Sequence, residues 1–368
     1  MSDIDPLMIL PVLGIAAGCV LGFAARVNRF CTLSSLERYW YAGDASGLRT
    51  WVLAAAVALA GTQTLAFAGY ADISRSFYLA PILPWSGAII GGLIFGIGMA
   101  FVGTCGFGAV IRLGGGSLRA LIVLIVLGLS ALAAQRGLIA QLRVLIVDDL
   151  ALDMSFAGDQ SLGSVLSYLV GLEVGGAAAV TVLAVMLLWV FRDKAYRRKG
   201  WDILTAVSIG AVIVAGWAAT TWVSRMALEP VQIEAGSFVV PVGDTILRFV
   251  TYTGTLPDYG VGLIAGTLIG AIAGAIWKKD SRWEACDDAR ELSRHLIGAF
   301  LMGVGGVFAM GCTIGQGVTG LSTLALNVPL TMLSMAFGAR IGLGYLLEGS
   351  FLAAFRRNDA GSSGQAAE

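Results

Sequence analysis

Charged side chains are scarce in this sequence. They make up 13% of its 368 residues, whereas apolar residues make up 57% and the mean hydropathy is +0.82. A soluble domain has roughly 25% charged residues. So few charges cannot cover a soluble particle of this size, and the missing solvent must be lipid. The composition therefore predicts a protein of the lipid bilayer, and its formal net charge of zero gives no indication of nucleic-acid binding.

Residues for metal, redox or ATP chemistry are also lacking. His295 is the single histidine, which argues against a His-rich metal site or proton relay. The five cysteines are too scattered for a disulfide scaffold or a CxxC metal site. No Walker A motif is present, which argues against ATP hydrolysis by that route. The sequence thus predicts no metal and no cofactor, and it does not indicate an enzyme.

Apolar runs long enough to cross a membrane recur along the chain. A spanning helix needs about 20 mostly apolar residues, because the hydrocarbon layer is roughly 30 Å thick. The runs predict an all-α membrane protein with about nine spans, at about 7–26, 50–70, 86–104, 117–136, 163–191, 201–222, 259–277, 295–311 and 329–349. The acidic start with Asp3 and Asp5 is unlike a cleaved signal peptide, so the first run is kept as a span.

Basic residues are concentrated in alternate loops. The positive-inside rule places the most basic of these loops in the cytoplasm. It contains Arg192, Lys194, Arg197, Arg198 and Lys199. Alternation then puts the basic residues within 26–49, 278–294 and 356–357 inside, and the stretches 137–162 and 223–258 outside. We therefore predict a multi-pass protein of the bacterial inner membrane with its N-terminus outside and its C-terminus in the cytoplasm.

The composition shows no sign of a second domain. We predict one integral membrane transport domain over 1–357. The remaining residues, 358–368, are small and polar, which is typical of a disordered tail. Only the loop 223–258 is long enough to hold much structure of its own.

Glycine is abundant, with 50 residues, and its placement follows a pattern. The stretch 91–108 aligns with the stretch 298–315 at one fixed offset. In this alignment Gly91, Gly96, Gly98, Phe101, Cys105 and Gly108 fall on Gly298, Gly303, Gly305, Phe308, Cys312 and Gly315. These coincidences predict an internal repeat.

A shorter similarity in glycine spacing relates the predicted spans 7–26 and 259–277. The glycines that step by fours there are Gly14, Gly18 and Gly22, and Gly266, Gly270 and Gly274. Close helix packing suffices to explain them, since small residues four apart let backbones approach in lipid. Together the two similarities predict repeat-like portions at about 7–136 and 259–350. The loop charges orient the spans before Cys105 and Cys312 in opposite directions, and inverted repeats with a central binding site are common in transporters.

Packing explains the glycines less well around Cys105 and Cys312. The segments there are Gly103-Thr104-Cys105-Gly106-Phe107-Gly108 and Gly311-Cys312-Thr313-Ile314-Gly315-Gln316-Gly317. Their glycine density favours broken helices, which are tolerated at membrane depth only where they are buried in protein or line a wet cavity. A short helix after such a break aims backbone N–H groups at one place, which suits an anion. We predict that both segments line a substrate path, with packing as the alternative.

Three of the cysteines are candidates for that path. Cys105 and Cys312 occupy equivalent places in the repeat, and Cys31 has a similar setting at the inner end of the first span. A thiol is a weak donor and a weak acceptor. Weak successive sites suit conduction, because an ion must be able to leave as well as enter. We expect Cys19 to be a small buried hydrophobe and Cys286, among carboxylates, to be incidental.

Two arginines are candidates for a supporting role. Arg29 could supply positive potential beside Cys31, although positive-inside orientation explains it equally well. Arg340 falls near the centre of the last span, where an ionisable residue is functional by default. The alternative for Arg340 is a shifted span that lets its side chain snorkel to the membrane surface.

These features together resemble the YeeE/YedE family of bacterial sulfur transporters, whose best-understood members take up thiosulfate. The motifs that carry the resemblance are Arg29-Phe30-Cys31-Thr32 and the two glycine-rich segments around Cys105 and Cys312. The resemblance implies an hourglass-like bundle with internal pseudo-symmetry, nine spans and short re-entrant half-helices. It also implies that the three cysteines relay thiosulfate through S–H···S hydrogen bonds.

Other functions stay open. The family also contains members linked to selenium metabolism, and soft thiols would suit a selenium compound as well. A membrane sulfurtransferase or thiol oxidoreductase would need an activated thiolate with a base or a resolving cysteine nearby. A structural subunit would not need the cysteines at all. Because acidic residues within the spans are nearly absent, we favour facilitated passage of a small sulfur anion, drawn along by a cytoplasmic sulfurtransferase that consumes it.

Overall fold

The computed structural model describes residues 6–251, 258–285 and 288–349. The α-helices are α1 (Ile9–Val27), α2 (Thr32–Ala42), α3 (Ser46–Phe67), α4 (Trp85–Val102), α5 (Gly106–Gly114), α6 (Leu118–Arg136), α7 (Ile139–Arg143), α8 (Leu162–Val170), α9 (Gly175–Phe191), α10 (Gly200–Met226), α11 (Val240–Val250), α12 (Tyr259–Lys278), α13 (Ala289–Phe308) and α14 (Asn327–Glu348). Two π-helical turns lie at Val144–Asp148 and Gly315–Gly320. The antiparallel strands β1 (Ile82–Leu83) and β2 (Leu152–Asp153) form one small sheet.

Long apolar helices dominate the described chain and confirm the all-α membrane fold. Seven helical stretches are long and apolar enough to cross a membrane, and they include α1, α3, α4, α6, α10, α12 and α14. Large apolar side chains face outward from the bundle, with Leu188 72%, Leu333 71% and Ile276 66% exposed. Such a surface is stable against lipid and would associate or aggregate in water.

Two of the predicted spans, 163–191 and 295–311, are not among these seven helical stretches. The run 163–191 is wrong as a single helix, because the chain breaks between α8 and α9 at Gly171, whose φ of 73° requires the left-handed region. The run 295–311 corresponds to α13, which begins at Ala289 and ends at Phe308. Charged residues in the first turns of α13 lower its mean hydropathy. The tail predicted over 358–368 and Cys286 lie outside the described residues.

The loops that are rich in basic residues lie together on one face of the bundle, here called the basic face. Polar contacts connect loops that are far apart in sequence. They are the Asn28–Asp202 hydrogen bond of 2.9 Å and the ion pairs Arg49–Asp193 of 3.1 Å, Arg26–Asp280 of 2.8 Å and Arg119–Glu284 of 3.0 Å. The grouping agrees with the alternation of charge seen in the sequence.

The glycines that step by fours form a seam between α1 and α12. A Cβ on Gly18 or Gly22 would lie closer than 3.0 Å to the backbone of Leu263 or Thr267, and a Cβ on Gly270 would meet the Cys19 carbonyl in the same way. The two helices run in the same direction, since residues early in α1 contact residues early in α12. The packing explanation for these glycines is therefore confirmed.

The helices that precede Cys105 and Cys312 pack against each other in opposite directions. Gly91 in α4 faces Gly305 in α13, whereas Gly98, further along α4, faces Gly298, which lies earlier in α13. In both places the backbones approach so closely that a Cβ would not fit. The opposite orientation expected from the loop charges is present in the structure.

The other helix pairs come in matched sets. Helix α1 packs along α12 and α3 packs along α10, while α4 packs along α14 and α6 packs along α13. The two helices of each of these four pairs run in the same direction. An inverted repeat relates helices that run in opposite directions. It can therefore relate α4 to α13, but it cannot relate α1 to α12. The packing fits an inverted repeat of α1–α6 with α10–α14. The repeat boundaries stay a prediction, and this arrangement favours a second unit that begins at α10 rather than at 259.

Candidate functional site

Each of the candidate cysteines lies where a long helix breaks and a short helix begins. Cys105 follows α4 after Gly103, whose φ is 76°, and Cys312 follows α13 after Gly311, whose φ is 153°. Cys31 follows α1 after Arg29, which has a φ of 51°. The broken helices predicted at Cys105 and Cys312 are confirmed, and the same construction occurs at Cys31.

The short helices start at the cysteines themselves. Cys31 is the N-cap of α2 and Cys105 is the N-cap of α5, and a helical stretch over 313–322 begins directly after Cys312. The first turns of these helices therefore carry backbone N–H groups that have no partner within the helix. The sulfur of Cys312 accepts one such hydrogen bond, from the Gly315 N–H at 3.3 Å. Partial positive charge thus collects around the thiols.

The structure brings the three motifs together. The hydroxyls of Thr32 and Thr313 lie 3.3 Å apart, which joins the motif of Cys31 to that of Cys312. Thr313 is also a neighbour of the Cys105 thiol, and Cys105 is close enough to Cys31 and to Cys312 for electrostatic interaction with both. We call Cys31, Cys105 and Cys312 the thiol cluster. Cys105 is its middle member.

Glycines beside the thiol cluster allow close approach of neighbouring chain segments. A Cβ on Gly106 would lie 2.8 Å from the carbonyl oxygen of Phe238, and a Cβ on Gly108 would collide with the Thr104 hydroxyl. Thr104 is buried and its hydroxyl makes no hydrogen bond to a described residue. The predicted residues Gly106, Gly108 and Thr104 therefore lie at the cluster.

Gln316 supports the turn that carries Cys312. Its side-chain amide donates to the carbonyl oxygens of Ala309 at 2.7 Å and Met310 at 3.0 Å. Both carbonyls belong to the turn that ends α13, so they have no partner within the helix. Gln316 is completely buried. These bonds make it a positioning residue for the Cys312 turn.

A cavity of about 490 Å³ opens on the basic face and is called the basic-face cavity. Cys31, Thr104 and Gly108 line it. Its charged lining residues are Arg26, Arg29, Arg112, Lys279, Asp280, Arg282 and Glu284. Five of these seven are basic, so the cavity attracts anions. The supporting position predicted for Arg29 agrees with its place beside Cys31.

A second cavity, of about 680 Å³, lies at the opposite face beside α11 and is called the loop-side cavity. Met310, Gly311 and Ser237 line it where it approaches Cys312. Its charged lining residues are Arg136, Arg143, Glu234, Asp244, Arg248 and Asp258. The basic-face cavity reaches Cys31 and the loop-side cavity reaches the Cys312 turn, with buried Cys105 between them. This is the hourglass arrangement that the resemblance implies.

Arg340 lies away from the thiol cluster. Its guanidinium stands over the ring of Trp40 in α2, 5.5 Å from the ring centroid, and other contacts also involve it. It does not line either cavity in the described part of the chain. Its predicted role on the path remains untested, and the cation–π contact gives it a structural partner.

Three residues near the path carried no sequence signal. Tyr78 lies in the short 3₁₀ turn Phe77–Leu79 between α3 and α4, and Glu234 and Ser237 lie in the connection between α10 and α11. None belongs to a cysteine motif or to an apolar run. The only available signal for Ser237 is its neighbour Gly236, a small residue next to a short helix.

Metal binding and general-base chemistry find little support at the site. Within 6–251, 258–285 and 288–349, no group of three or more His, Cys, Asp or Glu residues could hold a metal ion. His295 lines a cavity of about 380 Å³ that adjoins the basic-face cavity and shares Thr104 and Arg112 with it. Among the described residues no hydrogen bond joins His295 to a cysteine.

One known protein family and two named relatives match most of this sequence. The sequence model of the family "Sulphur transport" matches residues 28–341. The chain is 26% identical over 328 residues to the thiosulfate transporter TsuA of Escherichia coli K12. The aligned region covers 83% of this chain and 86% of the relative. It is 28% identical over 263 residues to the thiosulfate transporter TsuA of Spirochaeta thermophila. Here the aligned region covers 68% of this chain and 75% of the relative.

Proposed function

This chain belongs to the sulphur-transport family, and we propose that it carries thiosulfate across the bacterial inner membrane into the cell. Thiosulfate is a small dianion with three oxygens at one end and a soft terminal sulfur at the other. The observation that carries the proposal is the thiol cluster, which joins three distant sequence motifs between two polar cavities. The named function of both TsuA relatives supports the same substrate.

The thiols act as a chain of weak sites. Each S–H group donates a weak hydrogen bond to the terminal sulfur of the substrate, in an S–H···S contact. The neighbouring helix N-termini stabilise its negative charge without a full positive charge that would trap it. The substrate then passes from Cys312 to Cys105 and on to Cys31, because no single site holds it tightly.

The direction of passage follows from the electrostatics of the two faces. The basic face becomes the cytoplasmic face by the positive-inside rule, which gives an N-terminus outside and a C-terminus inside. Moving one charge against a membrane potential of 100 mV costs about 2.3 kcal/mol, so a dianion faces roughly twice that amount. The basic-face cavity offsets part of this cost at the exit. A cytoplasmic sulfurtransferase that consumes the arriving thiosulfate supplies the remaining drive.

Two alternatives define what the proposal must exclude. A selenium compound, or another sulfur compound, would use the same soft thiols and the same cavities. A sulfurtransferase or thiol oxidoreductase would form a covalent bond to one thiol of the cluster. A persulfide on Cys31, Cys105 or Cys312 during turnover would favour that second alternative.

Growth on thiosulfate tests the proposal directly. Cells that lack their own sulfate and thiosulfate importers receive this protein or an empty vector, with thiosulfate as the sole sulfur source. We expect growth only with the protein. If growth fails although the protein is found in the membrane, thiosulfate is the wrong substrate, and selenium compounds are tested next.

The ionisation of Glu234 is expected to make thiosulfate uptake depend on external pH. Burial of the carboxylate, together with the nearby charges of Asp258 and Asp244, raises the pKa of Glu234 to about 8. The group is therefore neutral below this pH and becomes negative above it, where it repels a dianion in the loop-side cavity. We expect the KM for thiosulfate to rise about fivefold between external pH 7 and pH 9. This rough size corresponds to the Coulomb repulsion between two partly screened negative charges.

The matched variants are Glu234→Gln and Asp149→Asn. Glu234→Gln removes the titrating group, so its KM should be nearly constant across this pH range. Asp149 is exposed on the segment that follows α7 and does not line the loop-side cavity, so Asp149→Asn should keep the wild-type pH profile. An unchanged profile in Glu234→Gln would assign the pH dependence to another group.

A further inference from the structure

Tyr78 is a buried tyrosine whose hydroxyl has no hydrogen-bond partner in the described part of the chain. Its side chain is 3% exposed, and the hydroxyl makes no hydrogen bond to a described residue. The ring is held firmly, with its centroid 4.0 Å from that of Phe77 and 6.4 Å from that of Trp217 in a T-shaped contact. Buried tyrosine hydroxyls usually find a partner. A fixed phenol whose hydroxyl lacks a partner among the described residues is therefore a candidate ligand-binding group.

The hydroxyl lies beside Gly315, next to Ser237 of the loop-side cavity and near the turn that carries Cys312. A Cβ on Gly315 would be 3.2 Å from the Tyr78 hydroxyl and 3.2 Å from the Ser237 hydroxyl, so both oxygens face the same spot. The N–H of Gly315 in turn donates to the sulfur of Cys312. Tyr78 is close enough to Cys312 and to Glu234 for electrostatic interaction with both. Ser237 lines the loop-side cavity itself.

The inverted packing gives Ser237 a counterpart in the first half of the chain. Cys31 lies between α1 and α2 and lines the basic-face cavity. Ser237 lies between α10 and α11, the helices that correspond to α1 and α2 in the matched packing, and lines the loop-side cavity. The two ends of the path are thus alike in position and different in chemistry. One end carries a thiol and the other carries a hydroxyl.

We propose that the hydroxyls of Tyr78 and Ser237 form an outer binding station that holds the oxygen end of the substrate before its sulfur reaches Cys312. Hydroxyl groups donate short, charge-assisted hydrogen bonds to anionic oxygens, whereas thiols donate weak ones. A substrate with oxygens at one end and a soft sulfur at the other satisfies both kinds of group at once. The identity of this substrate rests on the proposed function, while the class of ligand, a small oxyanion, rests on the two hydroxyls.

The station divides the recognition of the substrate into two steps. Sulfate offers oxygens to Tyr78 and Ser237 but has no terminal sulfur to present to Cys312. Hydrosulfide offers a sulfur but no oxygens to the two hydroxyls. Sulfate should therefore compete with thiosulfate for binding without being carried onward. The station determines the affinity for the oxyanion and the thiol cluster determines its passage.

The test uses Tyr78→Phe, Ser237→Ala and the double variant, which change two oxygens and leave the packing of the ring intact. The Kd for thiosulfate and for sulfate is measured on the purified full chain by tryptophan fluorescence, for which Trp217 beside Tyr78 is a built-in reporter. Initial uptake of radiolabelled thiosulfate is measured in proteoliposomes. The matched control is Tyr196→Phe, since Tyr196 is equally buried but its hydroxyl donates to Thr50, which lines neither of the two path cavities.

We expect the double variant to raise both Kd values and the KM for thiosulfate at least tenfold, with the maximal rate within about twofold of wild type. Tenfold corresponds to about 1.4 kcal/mol, which is close to the lower limit for a hydrogen bond to a charged group. Equal Kd values in wild type and double variant, equal losses in Tyr196→Phe, or no oxyanion binding by wild type would each overturn the station. Oxyanion binding that depends on both hydroxyls without thiosulfate uptake would overturn the proposed function and leave the station standing.

Discussion

Replacing Cys105 by alanine is expected to reduce the rate of thiosulfate uptake by about 10- to 100-fold, the range that corresponds to the loss of one hydrogen bond to a charged group. Cys105 is the middle member of the thiol cluster and interacts with both Cys31 and Cys312. Its side chain is 1% exposed, so no water replaces the lost donor readily. Without it, a dianion must cross from Cys312 to Cys31 with one contact fewer in a buried environment.

The measurement is initial uptake of labelled thiosulfate into cells or proteoliposomes at matched protein levels. Cys105→Ser should lie between alanine and wild type, because a hydroxyl still donates but offers a harder contact to sulfur. Cys19→Ala is the matched control, since Cys19 lines an apolar groove with Phe23 and Trp201, away from the cluster. Wild-type rates in Cys105→Ala and in the equivalent variants at Cys31 and Cys312 would sink the thiol relay and leave the transporter in place.

Substitutions at Cys105 and at Tyr78 are expected to change different kinetic parameters. This difference distinguishes passage along the path from binding at its entry. A substitution at Cys105 is expected to lower the maximal rate, because it acts after the substrate has bound. A substitution at Tyr78 is expected to raise Kd and KM, because it acts at entry. If both kinds of substitution changed the same parameter, the division between a binding station and a relay would be wrong.

The parts of the fold that could be predicted from the sequence are those in which one residue type has a local consequence. Apolar runs gave the positions of most spans, because hydrophobic length alone decides whether a helix can cross lipid. The breaks at Cys105 and Cys312 were predictable, because glycine is dense there and left-handed backbone favours it. The run 163–191 failed for the opposite reason. Its composition is mostly apolar, and the Gly171 at which it breaks is one glycine among many.

The repeat shows that similar glycine patterns can have two different origins. The glycines of α1 and α12 resemble each other because the two helices fit together, since each helix provides the space that the other occupies. The glycines around α4 and α13 resemble each other for a second reason, their equivalent places before Cys105 and Cys312. Sequence spacing alone does not distinguish complementary surfaces from duplicated ones. The direction of packing distinguishes them here.

The residues that line the loop-side end of the path could not be predicted. Tyr78, Glu234 and Ser237 lie in connections whose sequences carry no period and no motif. Their proximity to Cys312 depends on how two separate connections fold around the end of α13, which is a tertiary property. Orphaned polar atoms and desolvated carboxylates become visible only when burial is known.

The glycine seam between α1 and α12 is expected to be essential for folding, and Gly22→Val tests it. A Cβ at Gly22 would lie inside the contact distance of the Thr267 carbonyl, and this oxygen belongs to a rigid helix backbone that cannot turn aside. Overpacking typically costs about 1–3 kcal/mol and more where backbone must move. We expect a fall in the thermal unfolding temperature of roughly 10 °C, at about 2–4 °C for each kcal/mol, or no folded protein in detergent.

Gly176→Val is the matched control, because Gly176 is also helical but no atom lies within 4 Å of the position of its Cβ. It should unfold at nearly the wild-type temperature and keep its uptake. The seam also fixes where α1 ends, and therefore where Cys31 stands relative to Cys105. A Gly22→Val protein that unfolds at the wild-type temperature but no longer carries thiosulfate would contradict a purely structural seam, since it would mean that the helices adjust and only the register of Cys31 is lost.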